Sequence, residues 1–137
     1  MIGILIFTHA DIGKELIRAS EMILGPQQHI EFISIEATTN EVEIMEKLKG
    51  ALKRLGKEGI LLLTDMFGGT PMNIGCRFLN KQKNLEVVTG VNLALVIKAL
   101  TMREKVKDVK ELAGIVADYA RKDICVASSL LHGISTV

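Results

Sequence analysis

Residues 60–71 read Ile60-Leu61-Leu62-Leu63-Thr64-Asp65-Met66-Phe67-Gly68-Gly69-Thr70-Pro71, and this order decides the fold. An apolar run too short for a helix passes into a polar loop, and a diglycine turn then leads to a threonine and a proline. That pattern predicts a buried strand, a tight turn, and a helix starting near Pro71 with Thr70 as its N-cap. Similar apolar runs occupy residues 2–7, 30–35 and 85–88. The spacing between their starts matches one strand plus a crossover helix, repeated four times.

The intervening segments carry helical periodicity. Ile12, Leu16, Ile17, Ile23 and Leu24 form one stripe, stopped by Gly25-Pro26, with Asp11 as the expected N-cap. Val42, Met45, Leu48, Leu52 and Leu55 form a second, with Thr39 or Asn40 as N-cap and Gly56 as breaker. Residues 93–100 are apolar almost all round, which predicts burial on more than one side and makes a partner subunit plausible. Val109, Leu112, Ala113, Val116, Ala117 and Ala120 complete a fifth helix. The apolar tail at 124–131 reads as one more strand, antiparallel to the rest. The expected class is therefore α/β: a doubly wound, mainly parallel four-stranded sheet of order 2-1-3-4 with helices on both faces. Residues 1–123 form the domain and 124–137 its tail.

In that order the winding reverses between strands 1 and 3, and ligands collect beyond their carboxyl ends. The loops placed there are Thr8-His9-Ala10-Asp11 and residues 64–70. His9 and Asp65 then face one crevice. A carboxylate that accepts a hydrogen bond from one imidazole nitrogen leaves the other free as a nucleophile. Neither loop holds a serine or cysteine, so the imidazole itself is the expected attacking group. Gly68, Gly69 and Thr70, opening onto a helix N-terminus, suit the oxygens of a phosphoryl group. No Walker loop or GxGxxG occurs, and nothing calls for a nucleotide, cofactor or metal.

Composition narrows the alternatives. The 137 residues suffice for one domain, and 48% hydrophobic against 24% charged residues describes a chain that buries a core. Seventeen Lys+Arg against sixteen Asp+Glu leave a net charge of +1, which argues against nucleic-acid binding. Cys76 and Cys125 match no metal or disulfide pattern and read as reduced thiols. The apolar opening lacks a basic region, and no stretch is long enough to span a membrane, so the expected location is the cytoplasm. His29 and His132 are expected at the surface. The methionines read as core filler, with Met22, Met66 and Met72 as candidates for an adaptable docking surface and Phe67 as a candidate for its rim.

The segments ILIFTHAD, SEMILG, TDMFGGTPMN and VVTGVNLALV together resemble the IIA component of the mannose-type sugar phosphotransferase system, from the first residues to about position 123. The resemblance implies a phosphotransferase in which His9 takes a phosphoryl group from the phosphocarrier HPr and passes it to a IIB component. Asp65 falls on the family's supporting aspartate, Thr70 on its hydroxyl residue, Phe67 on a frequent aromatic, and Asn92 on an asparagine bordering the site. It also implies a homodimer in which the tail crosses to the neighbouring subunit, and association with a membrane IIC/IID complex. The absence of an Ala/Pro-rich linker implies a free-standing IIA. A regulatory module controlled by phosphorylation, feeding no sugar transporter, uses the same acceptor chemistry. A flavodoxin-like or receiver-type domain suits the fold but lacks the expected acidic pair and hydroxyl-rich loop.

Overall fold

The computed structural model describes residues 1–131. The elements run β1 (Gly3–His9), α1 (Ile12–Leu24), β2 (Ile30–Ile35), α2 (Glu41–Leu55), β3 (Ile60–Thr64), α3 (Thr70–Cys76), β4 (Leu85–Thr89), α4 (Leu93–Met102), α5 (Val109–Asp123) and α6 (Ala127–Leu131). All strand pairs are parallel and the order is β2-β1-β3-β4. The doubly wound sheet expected from the spacing is present.

Alternation along the strands divides the core in two. Ile4, Ile6, Leu61 and Leu63 point toward α1, α4 and α5, while Leu5, Phe7, Leu62 and Leu85 point toward α2 and α3. Both central strands are thus buried on each face, which explains why β1 and β3 are apolar runs without polar alternation. Each connection then returns β1 and β3 side by side with their carboxyl ends at one edge.

Some boundaries differ from the reading above. Thr70 is the first residue of α3, and Gly69 occupies the N-cap position in an extended conformation. Asn40, rather than Thr39, caps α2 through Glu43 N–H at 2.9 Å. Ile12, Ile23 and Val42, read as core-facing, are exposed because the neighbouring positions Gly13 and Ile44 turn inward instead.

The expected C-terminal strand is not found among the described residues. Residues 124–126 are irregular and Ala127–Leu131 form a one-turn helix with every residue exposed. The Ala-Ser-Ser-Leu-Leu segment lacks the β-branched residues that favour a strand, and no ladder partner for it lies among the described residues. His29 is exposed as expected, and His132 lies outside the described residues.

Candidate active site

His9 ends β1 and Asp65 follows the last residue of β3, whose register pairs Phe7 with Thr64. Adjacent parallel strands therefore deliver both side chains to one point. His9 Nδ1 lies 2.7 Å from Asp65 Oδ2, and the His9 backbone N–H donates to the same oxygen at 2.9 Å. The other carboxylate oxygen accepts from Met66 N–H at 3.1 Å. Asp65 is largely buried, at 12% side-chain exposure, whereas the imidazole is 46% exposed. Burial alone raises the Asp65 pKa, but the hydrogen bonds and charge of His9 outweigh it and hold the carboxyl below its ordinary value. An ionised Asp65 accepts a hydrogen bond from Nδ1–H, so the neutral ring carries its lone pair on Nε2.

The diglycine turn completes the wall. Gly68 adopts φ +79°, a left-handed conformation that a side chain would strain. Its carbonyl accepts from Asn73 Nδ2 at 3.3 Å, so α3 clips the loop that precedes it. A Cβ built on Gly69 would stand 3.2 Å from His9 Cε1 and 3.1 Å from Met66 Cγ. The Gly69 backbone thus lies against the imidazole edge at Cε1. Gly69 precedes the opening turn of α3, whose first amides lack carbonyl partners within the helix. That helix has only seven residues, so its dipole is modest and the local N–H groups carry most of its positive end.

The remaining candidates divide. Thr70 is exposed and lines a groove between α3 and the start of α2 with Asn73, Glu41 and Arg77. Met66 and Phe67, at 55% and 80% exposure, form an apolar rim beside the histidine. Met22 does not join them. It lies roughly 15 Å along α1 from the helix start, in a separate groove with Ile17, Arg18 and Phe32. Asn92 uses its side-chain oxygen to cap α4 through Leu95 N–H at 2.9 Å.

Two residues escaped the sequence reading. Asn73 was visible in the motif TPMN, but nothing local announced that its amide would reach back to Gly68. Thr8, buried at the end of β1, accepts a hydrogen bond from Gly13 N–H at 3.0 Å. Asp11, the expected cap of α1, holds the N-cap position without capping.

The family model described as "EIIA-man: PTS system fructose IIA component" matches residues 3–116. The PTS system mannose-specific EIIAB component of Escherichia coli (strain K12) is 29% identical over 124 residues, 90% of this chain, which spans 38% of that relative's length. The PTS system fructose-specific EIIA component of Bacillus subtilis is 28% identical over 99% of this chain and 93% of its own. Among solved structures, EIIA from Streptococcus agalactiae superposes with a TM-score of 0.87 at 25% identity, covering 94% of this chain and 99% of the other. A mannose/sorbose-specific IIA subunit from Enterococcus faecalis gives 0.83 at 27% identity, covering 90% and 92%. The fold, the paired histidine and aspartate and these likenesses agree: the chain belongs to the mannose-type family of IIA components of the sugar phosphotransferase system.

Proposed function

We propose that His9 accepts a phosphoryl group from phosphorylated HPr and passes it to a IIB component during sugar uptake. The observation that carries this reading is the 2.7 Å bond between His9 Nδ1 and Asp65, which leaves Nε2 as the unprotonated nitrogen on an exposed ring. The Nε2 lone pair attacks phosphorus in line, and an N–P bond forms as the donor's own phosphoryl bond breaks. Positioning and electrostatics supply most of the rate in such transfers. Asp65 stabilises the positive charge that the phosphorylated ring acquires, and the amides at Gly69 and Thr70, with the Thr70 hydroxyl, hold the phosphoryl oxygens. Reversal on a IIB partner returns the ring to its starting state. No metal or nucleotide enters the scheme.

A shallow site suits a group that must leave again. Met66 and Phe67 form the docking rim, and Gly68 shapes it. Met22 stands further off, near the end of α1, and a role in docking for it requires a broad partner footprint, whereas Asn92 follows Val91, whose N–H donates to Thr64 O at 2.9 Å beside Asp65. Among the described residues no helix is long and apolar enough to cross a membrane. A cytoplasmic carrier associated with a membrane IIC/IID complex fits that observation.

The same reading includes a homodimer built on residues 1–123, with the tail as its link. Ile124, Val126, Leu130 and Leu131 are all exposed, and the outer edge of β4 pairs with no strand among the described residues. Truncation after residue 123 is expected to leave monomers by sedimentation.

The deciding experiment incubates the protein with phosphoenolpyruvate, enzyme I and HPr, then asks for acid-labile, alkali-stable phosphate. His9→Ala is expected to abolish labelling, and unlabelled IIB to remove it. Normal labelling of His9→Ala overturns the assignment, and phosphate that no IIB protein removes favours a regulatory role.

A further inference from the structure

Asp11 stands at the N-cap position of α1, yet its carboxylate makes no capping bond and accepts instead from Ser34 Oγ on β2 at 3.3 Å. Of the two amides within reach of an N-cap side chain, those of Gly13 and Lys14, that of Gly13 donates to Thr8 Oγ1 at 3.0 Å. Thr8 is fully buried. A strand residue therefore caps the helix that follows it, across a loop composed of His9, Ala10 and Asp11. Ala10, in the middle of that loop, has φ +47°, a left-handed conformation disfavoured for a residue with a Cβ. Its N–H donates to Ile35 O at 2.8 Å. The phosphoryl-acceptor segment is thus held at three points: to β3 through Asp65, to β2 through Ala10, and to α1 through Thr8.

We propose that Thr8 is a positioning residue for His9: its buried hydroxyl, by capping α1 in place of Asp11, holds the His9-Ala10 turn in the conformation that aims Nδ1–H at Asp65 and Nε2 outward. This rests on the reading of His9 as the phosphoryl acceptor. Without the Thr8 acceptor, Asp11, which occupies the N-cap position, is placed to satisfy the Gly13 amide. Taking that role draws Asp11 away from Ser34 and lets Ala10 relax from its left-handed conformation. The relaxation rotates the Cα–Cβ bond of the adjacent histidine, and a 2.7 Å contact does not survive a displacement of about 1 Å.

Thr8→Val removes the acceptor at nearly constant volume, and Thr8→Ser keeps it. In nitrogen-15 spectra of the neutral imidazole, assigned by comparison with His9→Gln, the unsubstituted protein is expected to show the Nδ1–H tautomer alone and Thr8→Val a mixture. Phosphorylation by HPr is expected to slow about tenfold or more in Thr8→Val and to stay within about twofold in Thr8→Ser. A folded Thr8→Val protein with a single tautomer and an unchanged rate overturns the proposal.

Asp11→Ala tests the same assignment in a variant that leaves the core untouched. Gly13 amide exchange and the His9 tautomer are expected to stay as they are, and faster Gly13 exchange there overturns the proposal even if Thr8→Val does not fold. The tautomer and exchange measurements use no phosphate. Failure of the unsubstituted protein to take phosphate therefore overturns the acceptor reading separately, while those two measurements still decide whether Thr8 sets the ring.

Discussion

Asp65 binds both the backbone and the ring of His9 through one oxygen, so its charge couples local folding to the state of the imidazole. Its pKa is depressed in the folded protein relative to the unfolded chain. A depressed carboxylate contributes stability that is fully present above its unfolded pKa, near 4, and is lost as pH falls through the folded value. Urea midpoints measured from pH 6 down to pH 3 are expected to fall, and Asp65→Asn to flatten part of that decline. The same substitution removes the charge that selects the Nδ1–H tautomer, and phosphorylation is expected to slow on the order of 100-fold with an unchanged circular dichroism spectrum. Gly69→Ala belongs to this scale too. Gly69 has an ordinary negative φ, so the cost lies in the 3.2 Å approach to His9 Cε1 rather than in the backbone. Met66 is flexible and yields, but the ring is tied to Asp65. Slower labelling at nearly constant melting temperature is the expected result.

At the scale of elements, helix ends explain residues that a motif assigns to the site. Asn92 caps α4, and Asn92→Ala is expected to cost about 1 kcal/mol in chemical unfolding, with Asn92→Asp restoring most of it. Labelling of Asn92→Ala by HPr at the normal rate would separate the cap from any docking role. Gly75 makes the complementary point inside α3. A Cβ there would stand 2.5 Å from Leu62 Cδ2, a side-chain tip that is fully buried in the core. Gly75→Ala is expected to destabilise by about 1–3 kcal/mol, measured by urea titration. Proline and diglycine in residues 68–71 mark where α3 begins, yet they do not reveal that α3 lasts only seven residues. Past Cys76 the amides of Arg77 and Phe78 donate three residues back, to Ile74 O and Gly75 O, and Ile74 and Phe78 pack in the same core cluster.

Across the whole molecule the two ends of the sheet do different work. The carboxyl ends carry His9 and Asp65, while the amino ends are tied by Arg103, a buried guanidinium that donates to the carbonyls of Ile2, Gln28 and His29 at 3.4, 2.7 and 3.2 Å. Burial lowers its pKa, but an arginine remains charged across the accessible pH range. Arg103→Ala removes a partner from the carbonyls of Ile2 and Gln28, while that of His29 keeps the Ile4 N–H at 2.9 Å, and a loss of roughly 2–4 kcal/mol in unfolding free energy is expected. The phosphorylation rate of the folded fraction should not change, since the site lies at the opposite edge.

The strand-helix alternation, the order 2-1-3-4 and the meeting of His9 with Asp65 were determined by the sequence alone, because period and spacing are local properties and the crossover rule converts them into topology. Only the tertiary structure decided that Thr8 rather than Asp11 caps α1, that Asn73 clips the diglycine loop, and that Met22 faces a different groove. Each depends on the distance between side chains that approach through space. A hydroxyl and an amide five residues apart become partners only when the strand and helix that carry them are packed together.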